Sequence, residues 1–165
     1  MLIIGKYGRI KLLKEFEELV EKLRRDSEDG VPIIVEGERD ARSLRILGIM
    51  GEIIPVKSIR GLRRRLEARD VRSVILLFDL DQEGEKLMRL VKRSLEGVVG
   101  EINTRYWLRL KTFKKLGFTQ VEHLHLVPEK IQALSGSPSR RRSPLKAKKR
   151  LMAIRPTRRS IPYGG

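Results

Sequence analysis

The chain contains no cysteine, a single asparagine (Asn103), three glutamines and two histidines, and only 5% of its residues are aromatic. The missing cysteine excludes a disulfide scaffold, a cysteine-ligated zinc, an iron–sulfur cluster and thiol catalysis. Two histidines leave little for a His-rich metal site, and so few aromatics mean that any core must be largely aliphatic. No apolar run approaches the ~20 residues of a membrane span, and the opening MLIIGKYGRIKLL holds no unbroken apolar stretch of signal-peptide length. A cytoplasmic protein with no membrane partner is expected. The GxxxxGK[ST] phosphate loop is missing, as are GxGxxG and GxSxG, so nucleoside-triphosphate motors, dinucleotide enzymes and hydrolases of the nucleophile-elbow type lack support.

What the chain has is charge. Of its 165 residues 35% are charged, and 37 Lys+Arg against 21 Asp+Glu give a formal net charge of +16. A hydrophobic share of 40% suffices for one core, hence for one domain with at most an appendage. Heavy charge with so little Asn and Gln suits a thermophile's protein. The excess is uneven: residues 136 to 165 carry ten basic side chains and no acid, whereas residues 1 to 135 carry 27 basic against 21 acidic. That tail, GSPSRRRSPLKAKKRLMAIRPTRRSIPYGG, is broken everywhere by Pro, Ser and Gly and cannot build a core of its own. The organisation expected is therefore an N-terminal amphipathic helical segment over 1–29, a folded domain over 30–135 and a basic extended tail over 136–165.

Within the domain, helical and strand patterns alternate. Phe16, Leu19, Val20 and Leu23 stand at i, i+3, i+4 and i+7 and predict an amphipathic helix over 14–25, whose stripe is one place for a homodimer to form. VPIIVEG reads as a buried strand, ERDARSLRILGI as a helix closed by Gly48, and Glu52 to Val56 as a second strand leading through SIRG into the helix LRRRLEARD. SVILLFD is the most apolar segment, GEKLMRLVKRSLEG a further helix, and Val98-Val99 with EIN a weaker fourth strand. TRYWLRLKTFKKLG reads as a helix capped by Thr104, and 119–127 (TQVEHLHLV) as an edge strand or an irregular return. Uniformly apolar strands alternating with helices imply an α/β fold of about four strands, mostly parallel, with helices on both faces.

In such sheets ligands bind beyond the carboxyl ends of the strands. Two strands here end in acids: the first in Ile33-Ile34-Val35-Glu36-Gly37, the third in Phe78-Asp79-Leu80-Asp81-Gln82-Glu83-Gly84. Alternation places the carboxylates of Asp79 and Asp81 on one side while Leu80 points to the core. Glu36, Asp79, Asp81 and Glu83 together repel one another unless a cation joins them, and a hard divalent ion such as Mg²⁺ prefers oxygen ligands of this kind. Taken singly, each acid also fits a helix cap or first turn. Gly37 and Gly84 are expected to let the backbone turn sharply beside the site.

VEGERD, followed 43 residues later by DLDQEGE, resembles the Toprim domain shared by topoisomerases, bacterial-type primases, overcoming-lysogenization-defect nucleases and the nucleases that mature the smallest ribosomal RNA. The likeness covers roughly residues 30 to 115, including Gly61 in SIRG. The Asp-x-Asp-x-Glu-Gly form is close to that of type IA topoisomerases, the Glu-Gly-x-x-Asp form to the ribosomal RNA maturation nucleases. The resemblance implies Mg²⁺ held by Asp79 and Asp81 with Glu83 in support, and Glu36 as general acid/base or further ligand. Tyr7, Tyr106 and Tyr163 lack the separate domain of a strand-passing nucleophile, and the zinc and polymerase domains of primases are missing, so the chain resembles the small stand-alone archaeal Toprim proteins.

Lys57, Arg60, Arg63, Arg64 and Arg65 follow the second strand, where they either hold a nucleic-acid backbone or form a solvated helix face paired with Glu67 and Asp70. In the tail, Arg140, Arg141, Arg142, Lys146, Lys148, Lys149, Arg150, Arg155, Arg158 and Arg159 resemble the extensions by which ribosomal proteins enter ribosomal RNA. Trp107, beside Arg105, Tyr106 and Arg109, either stacks on unpaired bases or belongs to the core. His123 and His125 have no third ligand nearby and read as structural. Two functions follow: a Mg²⁺-dependent phosphodiester enzyme acting on RNA, a nuclease in ribosomal RNA processing; or a non-catalytic, ribosome-associated RNA-binding protein anchored by its tail. Either way the expected partner is RNA, in ribosomal RNA or a ribosomal subunit.

Overall fold

A computed structural model describes residues 4–134. Its elements in chain order are α1 (Lys6–Glu28), β1 (Ile33–Val35), α2 (Glu38–Ile46), β2 (Ile53–Pro55), α3 (Ile59–Glu67), β3 (Ser73–Leu77), α4 (Gln82–Leu95), β4 (Glu101–Asn103) and α5 (Arg105–Leu110). Two 3-10 helices follow (Lys111–Leu116 and Val121–Leu126), then α6 (Val127–Ala133). The four strands form one sheet in the order β2-β1-β3-β4, every pair parallel. The α/β Toprim-like fold expected from the sequence is the fold observed.

The two central strands are apolar throughout because nothing of them meets water. Ile33, Ile34 and Val35 of β1 and Val74 to Leu77 of β3 are fully buried, paired on both edges and covered on both faces. β2 lies at one edge, where Pro55 is tolerated, and β4, only partly covered, at the other. From β1 the chain crosses to β2 on one side; from β3 it crosses to β4 on the other. Right-handed crossovers then set α2 on one face and α3 and α4, which pack together, on the opposite face. The sheet order reverses between β1 and β3, which opens a crevice at their carboxyl ends.

Helix α1 is longer than the stripe predicted, and its apolar side (Leu12, Phe16, Leu19, Val20, Leu23) packs against α5 and α6. Phe16 meets Phe113 edge to face at 5.5 Å. The apolar stripe of α1, one place for a homodimer to form, packs within the fold. Residues 119–127 form no edge strand. Leu80 N–H donates to Thr119 O and Val121 N–H to Asp79 Oδ1 at 2.8 Å, so this return is tied to the end of β3, and 121–126 winds as a 3-10 helix. The helix expected over TRYWLRLKTFKKLG is α-helical only to Leu110, tightens to a 3-10 helix and stops at Gly117, whose φ of +91° suits glycine. Thr104 occupies the cap position without a side-chain bond; Asn103 Oδ1 accepts the Arg105 N–H instead, at 2.9 Å. No helix among the described residues is long and apolar enough to cross a membrane.

Candidate metal centre

The crevice between β1 and β3 is lined by carboxylates. Glu36 follows β1 directly and is exposed; Asp79 follows Phe78 at the end of β3 and is half-buried; Asp40, in the first turn of α2, is only 6% exposed. One carboxylate oxygen from each of Glu36, Asp40 and Asp79 lies within 4.8 Å of the other two. Leu80 turns into the core, as alternation requires, and the exposed Asp81 is near enough for its charge to act on Glu36 and Asp79.

Three of these acids are fixed by backbone donors. Asp40 Oδ2 accepts the Gly37 N–H at 3.0 Å, closing the N-terminus of α2. Asp79 Oδ1 accepts the Val121 N–H, and Asp81 Oδ1 the Gly84 N–H at 2.8 Å as the cap of α4. Each of these bonds occupies one oxygen of its carboxylate, and an oxygen each of Asp40 and Asp79 lies in the cluster with Glu36. None of Glu36, Asp40, Asp79 and Asp81 is ion-paired with a basic side chain among the described residues. Burial, and then the charges of Asp79, Asp40 and Asp81, push the Glu36 carboxyl above its usual range. Burial also raises Asp79, with Asp81 and Glu122 adding to the push and the Val121 N–H opposing it. Asp40 is raised by burial, then by Asp79 and Glu122, against the pull of the Gly37 N–H. Three anions held together against their repulsion, all through oxygen, are the donor set that suits a hard divalent cation.

The glycines serve the site differently from the expectation. Gly37 is extended (φ −148°) with open space where a Cβ would stand, so it makes no sharp turn. Gly84 sits in the first turn of α4, where a Cβ would fall 2.1 Å from Asp79 O and 2.6 Å from Asp79 C. It is required by the close approach of α4 to the Asp79 backbone.

Trp107 is 2% exposed, and its Nε1–H donates to Asp79 O at 3.3 Å while Lys111 lies over its ring at 4.0 Å. It cannot stack on a base; it braces the site from below. His125 is structural: Ser43 Oγ accepts its N–H at 3.2 Å and bonds its Nδ1 at 3.0 Å, joining α2 to the 3-10 helix.

Of the metal residues read from the sequence, Glu36 and Asp79 meet, Asp81 stands beside them, and Glu83 points away, with its side chain 83% exposed and paired with Lys86 at 3.4 Å. Asp40 and Glu122 escape a reading of the sequence. Asp40 is the last residue of the Glu-Gly-x-x-Asp run, a signal present in the sequence, whereas Glu122 arrives through the 3-10 return and carries none. Among the basic residues, Arg63 pairs with Glu67 at 3.3 Å and Arg65 with Glu52 at 3.2 Å, while Lys57, Arg60 and Arg64 have no acidic partner among the described residues. The tail residues Arg140, Arg141, Arg142, Lys146, Lys148, Lys149, Arg150, Arg155, Arg158 and Arg159 lie outside the described residues.

Known proteins share this sequence pattern and fold. The family model of the Toprim domain matches residues 31–109, which span both acidic strand ends. A UPF0292 protein of Thermococcus onnurineus is 36% identical over 122 residues, 74% of this chain and 90% of that one. A UPF0292 protein of Pyrococcus horikoshii is 38% identical over 112 residues, 68% of this chain and 83% of its own. Among solved structures, an Aquifex aeolicus protein superposes with a TM-score of 0.54 at 27% identity, covering 64% of this chain and 94% of the other. Toprim domains bind divalent metal ions, and Glu36, Asp40 and Asp79 fit that role. The chain carries a Toprim domain on an α/β fold of four parallel strands and belongs to the UPF0292 family of small archaeal proteins.

Proposed function

We propose that the chain is a Mg²⁺-dependent phosphodiester enzyme acting on RNA, a nuclease in ribosomal RNA processing. The observation that carries this reading is the convergence of Glu36, Asp40 and Asp79 within 4.8 Å, with no basic side chain paired to them among the described residues, at the crevice where the sheet order reverses. A bound divalent ion supplies Lewis-acid polarisation of a phosphate and lowers the pKa of a water. The chain's own residues do the rest. Asp79 is held by the Val121 N–H on its carboxylate and by the Trp107 indole N–H on its carbonyl. Asp40 is fixed by the Gly37 N–H and Asp81 by the Gly84 N–H. Glu36 is exposed at the end of β1 beside Asp79, a position that suits a group that takes a proton from an attacking oxygen or gives one to a leaving oxygen.

Asp79→Asn and Asp81→Asn are each expected to abolish Mg²⁺-dependent cleavage of precursor ribosomal RNA while leaving a cooperative unfolding transition. Variants that cut as fast as the parent contradict this assignment. The acid-free run of ten cations from 136 to 165 favours a second reading, a ribosome-associated RNA-binding protein in which the fold is a platform. On that reading, removing 136–165 flattens the salt dependence of RNA binding by about 0.7 in slope for each phosphate that the tail neutralises. An unchanged slope contradicts it.

A further inference from the structure

Beside the carboxylates, at the end of the neighbouring strand β2, lies a pocket of about 340 Å³ whose lining includes Glu38, Ile54, Lys57, Ser58, Leu62 and Arg65. Its walls join two parts of the fold. Glu38, two residues beyond Glu36, supplies the α2 side, and the segment from β2 into α3 supplies the other. β2 pairs with β1 in register, Pro55 opposite Val35, and adjacent strands run about 4.8 Å apart, so the pocket opens one strand away from the metal centre on the same edge of the sheet.

The charges around this pocket are not equivalent. Arg65 and Arg69 are both engaged by Glu52, whose carboxyl the Arg69 guanidinium holds below its usual range. Arg63 is engaged by Glu67 and by Ser94 O. Lys57, in the pocket wall, and Arg60 and Arg64 on α3 have no acidic partner among the described residues. The Gly61 N–H is already taken by Ser58 Oγ at 2.9 Å, so attraction for an anion here comes from side chains. Glu38 is the one acid in the lining and stands on the side of the carboxylates. The apolar floor of Ile54 and Leu62 accepts a sugar face.

We propose that this pocket, through Lys57 in its wall and with Arg60 in the adjoining first turn of α3, holds a phosphate of the RNA backbone adjacent to the one at the metal centre. The proposal rests on the function proposed above and adds to it the direction in which the strand leaves the crevice, over β2 and α3 and away from β4. Phosphate contacts of this kind fix register without reading sequence. Because one strand then touches both sites, RNA and Mg²⁺ must strengthen each other's binding, and by equal factors.

The test uses the full chain and its one tryptophan, Trp107, whose indole bond to Asp79 O makes its emission a reporter of the metal centre. Mg²⁺ is titrated with and without a single-stranded RNA oligonucleotide, in the parent, in Lys57→Ala/Arg60→Ala and in the control Lys14→Ala, a charge removed from the exposed side of α1. RNA is expected to lower the parent's Mg²⁺ midpoint by about fivefold or more. The double variant should keep the parent's midpoint without RNA and lose most of the RNA-induced shift, while Lys14→Ala keeps it. A double variant that retains the full shift, or a control that loses it equally, overturns the pocket and leaves the proposed function standing. No shift in the parent overturns both.

Discussion

Replacing Asp79 by asparagine should make the metal-free protein more stable, not less. Asparagine keeps an oxygen to accept the Val121 N–H, so the bond that ties the 121–126 return to β3 survives. What disappears is repulsion. Two unit charges 4.8 Å apart interact by about 3 kcal/mol at an effective dielectric near 20 and by about 1 in water. Glu36 is exposed, so the lower figure is the better guide, and relief of about 1 kcal/mol is expected, a rise of about 3–5 °C in Tm for a domain of this size. The gain should depend on pH. Glu36, Asp40 and Asp79 all have raised pKa values in the folded protein, so the folded state binds more protons than the unfolded one between the ordinary carboxylate range and the raised values. Stability from these groups is therefore full at acid pH and lost as pH rises through the folded values. The advantage of Asp79→Asn over the parent should be small near pH 4 and largest at pH 7. Saturating Mg²⁺ reverses the order: at one hundred times its dissociation constant it stabilises the parent by about 2.7 kcal/mol and the variant by little. Scanning calorimetry in a pressurised cell, with chelator and then with Mg²⁺, reads both effects. A variant less stable than the parent in chelator, or equally stabilised by Mg²⁺, refutes the reasoning.

Gly84→Ala puts a Cβ against the backbone of Asp79 and should cost about 1–3 kcal/mol in calorimetry and weaken Mg²⁺ binding at least about tenfold; unchanged Mg²⁺ affinity would show that the close approach is not what positions Asp79. Trp107→Phe removes the donor to Asp79 O and leaves a smaller ring beneath Lys111, for a loss of about 1–2 kcal/mol; a neutral variant contradicts its bracing role. Tyr106→Phe leaves the Asp26 carboxylate on α1 without its hydroxyl donor and should lower stability by about 1–2 kcal/mol, with cleavage unaffected; an unchanged Tm would show that this bond holds nothing together.

How far the sequence carries depends on whether a feature is local. β1 and β3 are readable because central parallel strands are apolar along their whole length, and the acids are readable because they come straight after those strands. Glu83 is drawn into the metal set by its place in the Asp-x-Asp-x-Glu run, but one turn of α4 carries it to the solvent side, where Lys86 meets it. Asp40 reads at first as an ordinary first-turn acid of α2, although it closes the Glu-Gly-x-x-Asp run; in the fold its carboxylate joins those of Glu36 and Asp79. The 3-10 return has no periodicity to betray it, since its shape is set by long-range bonds to Asp79, Leu80 and Ser43. Gly84 suggests conformational freedom, whereas the requirement is space, visible only once α4 lies against the end of β3. Trp107 offers both a stacking face and a core face in the sequence, and its indole N–H against Asp79 O decides for the core.

Whether Glu36, Asp40 and Asp79 hold a divalent cation decides the function proposed above. Isothermal titration of the metal-free full chain with Mg²⁺ at pH 7, repeated on Asp79→Asn and on Glu83→Gln, tests it most directly. The account predicts saturable binding in the parent, its loss in Asp79→Asn and its retention in Glu83→Gln. Binding that survives Asp79→Asn unchanged, or that disappears with Glu83→Gln alone, would contradict it.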